Sequence, residues 1–224
     1  TSLYDGGIRT PWIVKWPKGI KGGQESKSLV SAVDIAPTFL DLAGVSPVAT
    51  FAGMSFAPVL GDPRVSVRDY VFAEDHWHDY EDHGRSIGTQ RYKLIRNDYF
   101  DLAATPSADA GRSLTWQSML KQHGEGALTT VQQACIVTPR PEFELYDLVN
   151  DPNELRNLVG VEALQPVLSN LQKELAEWSE RTGDYLPTVR TSDEFDRVTG
   201  EPDHSVRVRP RRSKQEMFGT YGKY

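Results

Sequence analysis

Three of the chain's five histidines and five of its carboxylates fall in one fifteen-residue stretch, FAEDHWHDYEDHGRS, residues 72–86. His76 and His78 stand two apart, so an extended backbone would project both from one face. Asp75, Asp79 and Asp82 lie close by in sequence, and His83 can fall on either face. Three chemistries fit this composition. Carboxylate oxygens suit a hard cation and imidazoles suit zinc or copper, so one reading is a metal site, although no second ligand group stands at a familiar spacing. Another is a wall for a polar ligand, where imidazole and indole hydrogen-bond and stack on a sugar and a protonated histidine meets an anion. The third is a solvated polar loop whose histidines are satisfied by carboxylates. Arg85, just before a strand, is open between a ligand contact and an ion pair with an acid.

The elements that must carry this stretch follow from periodicity. RDYVFAEDH, RSIGTQRYKLIRNDY and FELYDLVND alternate aromatic or β-branched residues with polar ones between turn signals, which predicts three antiparallel strands. In the middle strand Tyr92, Leu94 and Arg96 share one face and Lys93, Ile95 and Asn97 the other, and the pattern predicts one solvated side. Leu164, Val167, Leu168, Leu171, Leu175 and Trp178 recur at three- and four-residue steps between Pro166 and Gly183, so an amphipathic helix is expected to cover the apolar side.

Upstream, Asp34 as N-cap, Pro37 in the first turn and Gly44 past the end delimit a helix whose buried side would be Ile35, Phe39, Leu40 and Leu42. Pro11 and Pro17 bound a short strand over WIVKW. Residues 46–69 read as an irregular crossing. Residues 99–141 read as a long insertion with a short helix at LTWQSMLKQH. The prediction is an α+β fold, a small antiparallel sheet packed by a C-terminal amphipathic helix.

Bulk composition narrows the function classes. At 224 residues, 38% hydrophobic and 25% charged, the chain has material for a core, and no run approaches the ~20 apolar residues of a membrane span. Residues 205–224 hold six basic residues and one acid, so this tail is +5 and the remainder −11. A short basic arm can bind nucleic acid or a polyanion, but such runs are more often solvated termini or arms laid across an acidic neighbour. Aromatic residues are not interleaved with a basic stripe, so nucleic acid is not expected as a partner, and the lack of a long apolar run leaves no membrane partner expected. The single cysteine, Cys135, cannot form an internal disulfide, and QACIV reads as buried packing. Asp147 and Asp151 in ELYDLVNDPNE read as turn formers.

LYDGGIRTPWIVKWP, LVSAVDIAPTFLDLAGV, RYKLIRN, ELYDLVNDPNELRNL and a closing helix ending in ELAEW follow in that order over residues 3–178. In this sequence of motifs the chain resembles the sulfatases of the alkaline phosphatase superfamily, and within them most the sulfamidases, which remove sulfate from N-sulfoglucosamine. The resemblance implies residues 1–66 as the end of a large α/β domain contributing its last strand and helix, and 67–183 as a small antiparallel-sheet domain with its covering helix; residues 184–224 carry no period and read as an extended arm that wraps the body or a partner chain and would allow exchange between protomers.

It also implies hydrolysis of sulfate ester or sulfamate groups on sulfated carbohydrate. The family's nucleophile is a formylglycine made from the cysteine of C-x-P-x-R, and its metal is a divalent cation, usually calcium. Cys135 is followed by Ile136 and Val137 and does not match that motif. No catalytic residue or metal ligand is therefore expected in this chain. Both are expected in a preceding N-terminal sulfatase domain, its expected partner, and a periplasmic or secreted location is favoured for a bacterial source. The resemblance turns the stretch at 72–86 toward the ligand-wall reading, with His76, Trp77 and His78 as substrate-binding residues. A non-catalytic carbohydrate-binding or interaction module on the same scaffold is the other reading.

Overall fold

The computed structural model describes residues 2–46 and 48–206. In chain order the elements are the helical turn α1 (Asp5–Ile8), helices α2 (Ile35–Leu42) and α3 (Ala57–Gly61), strands β1 (Val71–Trp77), β2 (Glu81–Gly88) and β3 (Tyr92–Asn97), helices α4 (Ala108–Gly111), α5 (Leu114–Gly124) and α6 (Thr130–Gln133), strand β4 (Phe143–Asp147) and helix α7 (Gln165–Thr182). They fold into two compact units. One comprises Thr1–His76, Asp82–Ala103 and Val137–Pro187, the other Trp77–Glu81, Ala104–Ile136 and Thr188–Tyr224.

The first unit is built on a four-stranded sheet in the order β1-β2-β3-β4, with β3 antiparallel to both neighbours. The α+β prediction holds, with four strands where the sequence pattern predicts three. RSIGTQRYKLIRNDY turns back on itself at Thr89, whose hydroxyl accepts from the Tyr92 and Arg91 amides, so its two halves pair as β2 and β3. The register Ile87↔Leu94↔Leu145 puts three fully buried side chains side by side. Leu168, Leu171 and Leu175 of α7 pack on them, and each such burial contributes about 1.5–3 kcal/mol. Phe72 extends this face and stacks on Trp178 at 5.0 Å. Gly183, at φ 70°, ends α7 as its period requires.

The opposite face is not solvated. Lys93, Ile95 and Asn97 are all buried, because the segment after Ser2 folds over them: Leu3 packs on Ile95 and Tyr146, and a Cβ on Gly84 would meet Leu3 Cδ1 at 2.8 Å. Lys93 Nζ pairs with Asp5 and lies 2.8 Å from Glu154. The Tyr4 and Tyr146 hydroxyls both donate to Glu144, at 2.7 and 2.5 Å, and Asn97 Nδ2 donates to its other oxygen at 2.7 Å. Burial, followed by the Glu144 carboxylate, pushes the Tyr146 phenol above its ordinary range. Period-2 patterning cannot foresee this face, since its polar residues meet partners remote in sequence.

Helix α2 forms where expected and Gly44, at φ 70°, follows its end. Asp34 accepts from the Ser31 amide at 2.7 Å and the Met54 amide at 2.9 Å, and it pairs with Arg68. The buried side differs from expectation. Pro37 and Thr38 are buried, whereas Phe39 is 69% exposed and Leu42 is also exposed. Nor is WIVKW a strand: residues 11–16 have no regular structure, and Ile13 is 93% exposed. A strand is made by its neighbour, and among the described residues none pairs with this segment. Trp12, Ile13, Val14, Trp16 and Phe39 thus leave apolar surface uncovered. The purified chain is expected to self-associate through it. Sedimentation velocity at rising concentration checks this, with the Ile13→Lys/Phe39→Lys double variant expected to shift toward monomer.

In the second unit α5 confirms the helix at LTWQSMLKQH, capped by the Ser113 hydroxyl on the Trp116 amide. Cys135 is exposed, not buried. It follows the single turn of α6 and belongs to no packed element. Residues 191–203 fold back on themselves through the Phe195↔Pro202 bridge, with Gly200 at φ 71° at the bend. The basic tail from Arg207 onward lies outside the described residues.

Candidate functional site

The apolar face under α7 ends in charge. Continuing the alternation that buries Phe72 and Ile87, β1 brings His76 and β2 brings Arg85 to the C-terminal end of the helix. Gly183 turns the chain there, the Asp184 amide donates to Ser179 O at 2.9 Å, and the Asp184 carboxylate faces back toward the strands. Arg85, 3% exposed, grips it in bidentate fashion through Nε and, at 2.6 Å, Nη2. Arg85 Nη1 pairs with Asp98, which also holds Arg96 Nη2 at 2.6 Å.

His76 Nε2 lies 2.9 Å from Asp184 and 3.5 Å from Glu74. Two carboxylates on one ring nitrogen place a proton there, so Nε2–H is the donor. His83, in left-handed conformation at φ 44°, stacks on His76 with centroids 4.6 Å apart, and Tyr99 meets it edge-on.

The electrostatics follow from burial and pairing. Burial disfavours the Asp184 carboxylate, yet Arg85 and then His76 outweigh it and hold this carboxyl below its ordinary range. Burial likewise acts against the Arg85 cation, and Asp184 with Asp98 overcomes it, raising the guanidinium above its ordinary value. A carboxylate just past a helix C-terminus faces the negative end of the helix dipole, and the cation beside it offsets that unfavourable field.

Glu74, His76 and Asp184 each offer one ligand atom within 4.8 Å of the others, which revisits the metal reading. The fit is poor: both Asp184 oxygens already bind a buried guanidinium, and a cation would sit against that charge. Asp82, another candidate ligand, pairs with Arg140. The Asp184, Asp98 and Asp82 carboxylates are all engaged by arginines, and what the network does chemically is fix α7 to β2 and orient His76.

The three residues expected to form a ligand wall differ in their surroundings. His76 belongs to the first unit and is engaged as above. Trp77 ends β1 and His78 follows it, both in the second unit. Trp77 is 41% exposed and the His78 side chain 53% exposed, with Nδ1 3.1 Å from Asp79. Asp184 is the residue that sequence reasoning missed. An acid immediately after a helix-ending glycine, where the dipole disfavours it, was the available signal. Asp147 and Asp151 are turn formers, as expected: Asp147 accepts from Asn150 and Arg91 at 2.9 and 2.8 Å, and Asp151 accepts from the Leu155 and Arg156 amides.

A family model for the C-terminal part of N-sulphoglucosamine sulphohydrolase matches residues 1–106. An ulvan-active sulfatase of Formosa agariphila is 34% identical over 188 residues, covering 81% of this chain and 30% of that protein. The chain belongs to the sulfatase family. The human N-sulphoglucosamine sulphohydrolase is 28% identical over 82% of this chain and 39% of its own length. Among solved structures, BT4656 in complex with its substrate D-glucosamine-2-N,6-O-disulfate aligns with a TM-score of 0.54 and 26% identity, covering 78% of this chain and 29% of that one. The small antiparallel sheet with its covering helix is thus a sulfatase C-terminal element. The chain spans 30 and 36% of the length of the first two curated relatives it matches.

Proposed function

We propose that this chain is the C-terminal part of a sulfatase that hydrolyses sulfate ester or sulfamate groups of a sulfated carbohydrate, of the N-sulfoglucosamine type, and that it shapes the substrate pocket. The family match over residues 1–106 carries the reading, and the similarity to a structure holding a sulfated glucosamine supports its substrate class. In this reading the formylglycine and a divalent cation, calcium in type, belong to a preceding N-terminal portion, because the only cysteine, Cys135, stands outside a C-x-P-x-R motif. That portion is the partner for which the exposed face at Trp12–Trp16 and Phe39 is suited. Bound there, the cation would polarise the sulfate.

Trp77 and His78 are the residues that meet sugar, since both are exposed. His76 sets the end of β1 from which they project. In the sulfatase carrying this chain, Trp77→Ala and His78→Ala are expected to lower kcat/KM for an N-sulfated glucosamine oligosaccharide about tenfold, or about 1.4 kcal/mol. An aryl sulfate, which does not reach them, should change by less than about twofold. Equal effects on both substrates, or none, would refute the assignment. By the same reading the 224-residue chain alone turns over neither substrate, and turnover above a metal blank would sink that part.

A further inference from the structure

The segment carrying Trp77 and His78 is braced from its buried side by residues far along the chain. Within Trp77–Glu81 the buried residues are Tyr80 and Glu81, and Tyr80 clusters with Ala108 and Phe195, all three buried. The Tyr80 and Phe195 rings meet edge-on with centroids 6.5 Å apart. The Tyr80 hydroxyl donates to Asp196 O at 3.1 Å. Arg197 places its guanidinium 4.9 Å from the Tyr80 ring centre and donates from Nη2 to Glu81 O at 2.9 Å. Its own orientation is set by Asp193, bound through Nε at 2.6 Å and Nη2 at 2.9 Å. The Thr191 amide donates to the Glu81 carboxylate, and on the other flank Asp79 accepts from the Ala108 amide at 2.7 Å.

The five residues Trp77–Glu81 thus receive ring packing, a cation over a ring and hydrogen bonds to Asp79, Tyr80 and Glu81, while Trp77 and His78 keep their outward side chains exposed. A recognition surface gains affinity when its groups are held in place before the ligand arrives, because less ordering remains to be done on binding. We infer that residues 191–202 act as a brace that fixes Trp77 and His78 for contact with sugar, with Arg197 as the principal positioning residue. Residues 191–202 would then set substrate affinity without touching substrate. The inference rests on the pocket-shaping role proposed above.

The test uses the sulfatase carrying this chain, with Arg197→Ala and, as a milder change that keeps the packing, Tyr80→Phe. Hydrogen exchange at the His78 amide, which donates to Tyr80 O at 3.2 Å, should accelerate at least about tenfold in Arg197→Ala and less in Tyr80→Phe, with β3 amides unchanged. KM for the N-sulfated oligosaccharide should rise about fivefold, with kcat on an aryl sulfate unaltered. Unchanged exchange, faster exchange with unchanged KM, or a parallel loss of kcat on both substrates overturns the inference. Trp77→Ala and His78→Ala assayed alongside separate the two readings. If they alter KM and Arg197→Ala does not, the brace is wrong and the wall stands; if neither alters it, both fall.

Discussion

Arg85→Met is expected to cost this chain about 3–5 kcal/mol of stability, the size seen when one partner of a buried ion pair is removed and the other charge is stranded. Asp184 would lose both guanidinium bonds at the C-terminal end of α7, where the helix dipole opposes its charge. Asp98 would keep Arg96, so Asp184 carries most of the loss. Urea denaturation of wild type, Arg85→Met, Asp184→Asn and the double variant forms a cycle that measures the coupling directly. The double variant should recover part of the loss, and independent effects would show that the pair is not the source.

Acid should act on the same contact. The Asp184 carboxyl is depressed in the folded chain against about 3.9 unfolded. Its stabilising contribution is therefore complete above that value and lost as pH falls through the folded one. Asp147, held at about 2 chiefly by Arg91, behaves in the same sense. Arg85, raised from an already high value, stays charged throughout. A denaturation series from pH 6 down to pH 2 should show stability falling below about pH 4, with a shallower fall in Asp184→Asn.

Lys93→Met is expected to have an effect of similar size on the other side of the sheet, again about 3–5 kcal/mol. Lys93 is 3% exposed, and its ammonium is the cation between Asp5 and Glu154. Removing it leaves two carboxylates facing each other in a buried setting, with Glu144 nearby on the same face. The segment Leu3–Asp5 should loosen first, because Asp5 is its charged tether and the Asp5 amide bonds Glu154 at 2.5 Å. Limited proteolysis within residues 3–9 should accelerate in Lys93→Met while cleavage in α7 does not. Lys93→Met combined with Glu154→Gln should regain part of the stability. Equal stability of Lys93→Met and wild type would refute the role given to this lysine.

Parts of the architecture were readable because their causes are local. Helix α7 declares itself by apolar residues at three- and four-residue steps and by a glycine at its end, since one face of a helix must be buried whatever lies beneath it. Strands β3 and β4 alternate, and α5 carries its own cap. The five ordered motifs identified the family. The stretch at 72–86 was recognisable as unusual, and its division was not: β1 ends at Trp77, β2 begins at Glu81, and His83 turns left-handed between partners that no local rule names.

What remained for the tertiary structure is the set of contacts joined across long chain separations. Arg85 and Asp184 are 99 residues apart, Tyr80 and Asp196 116, and Lys93 and Asp5 88. A charge or a phenol in sequence carries no mark of its partner, because electrostatic and hydrogen-bonding energy depends on distance and burial that only the folded chain sets. The sequence by itself determined the family and the sheet-and-helix core, and it singled out the stretch at 72–86 by its composition. The fold decided that His76 is bound into an ion network, that Trp77 and His78 stay exposed, and that WIVKW, whose pattern asks for a strand, has no neighbour among the described residues to make it one.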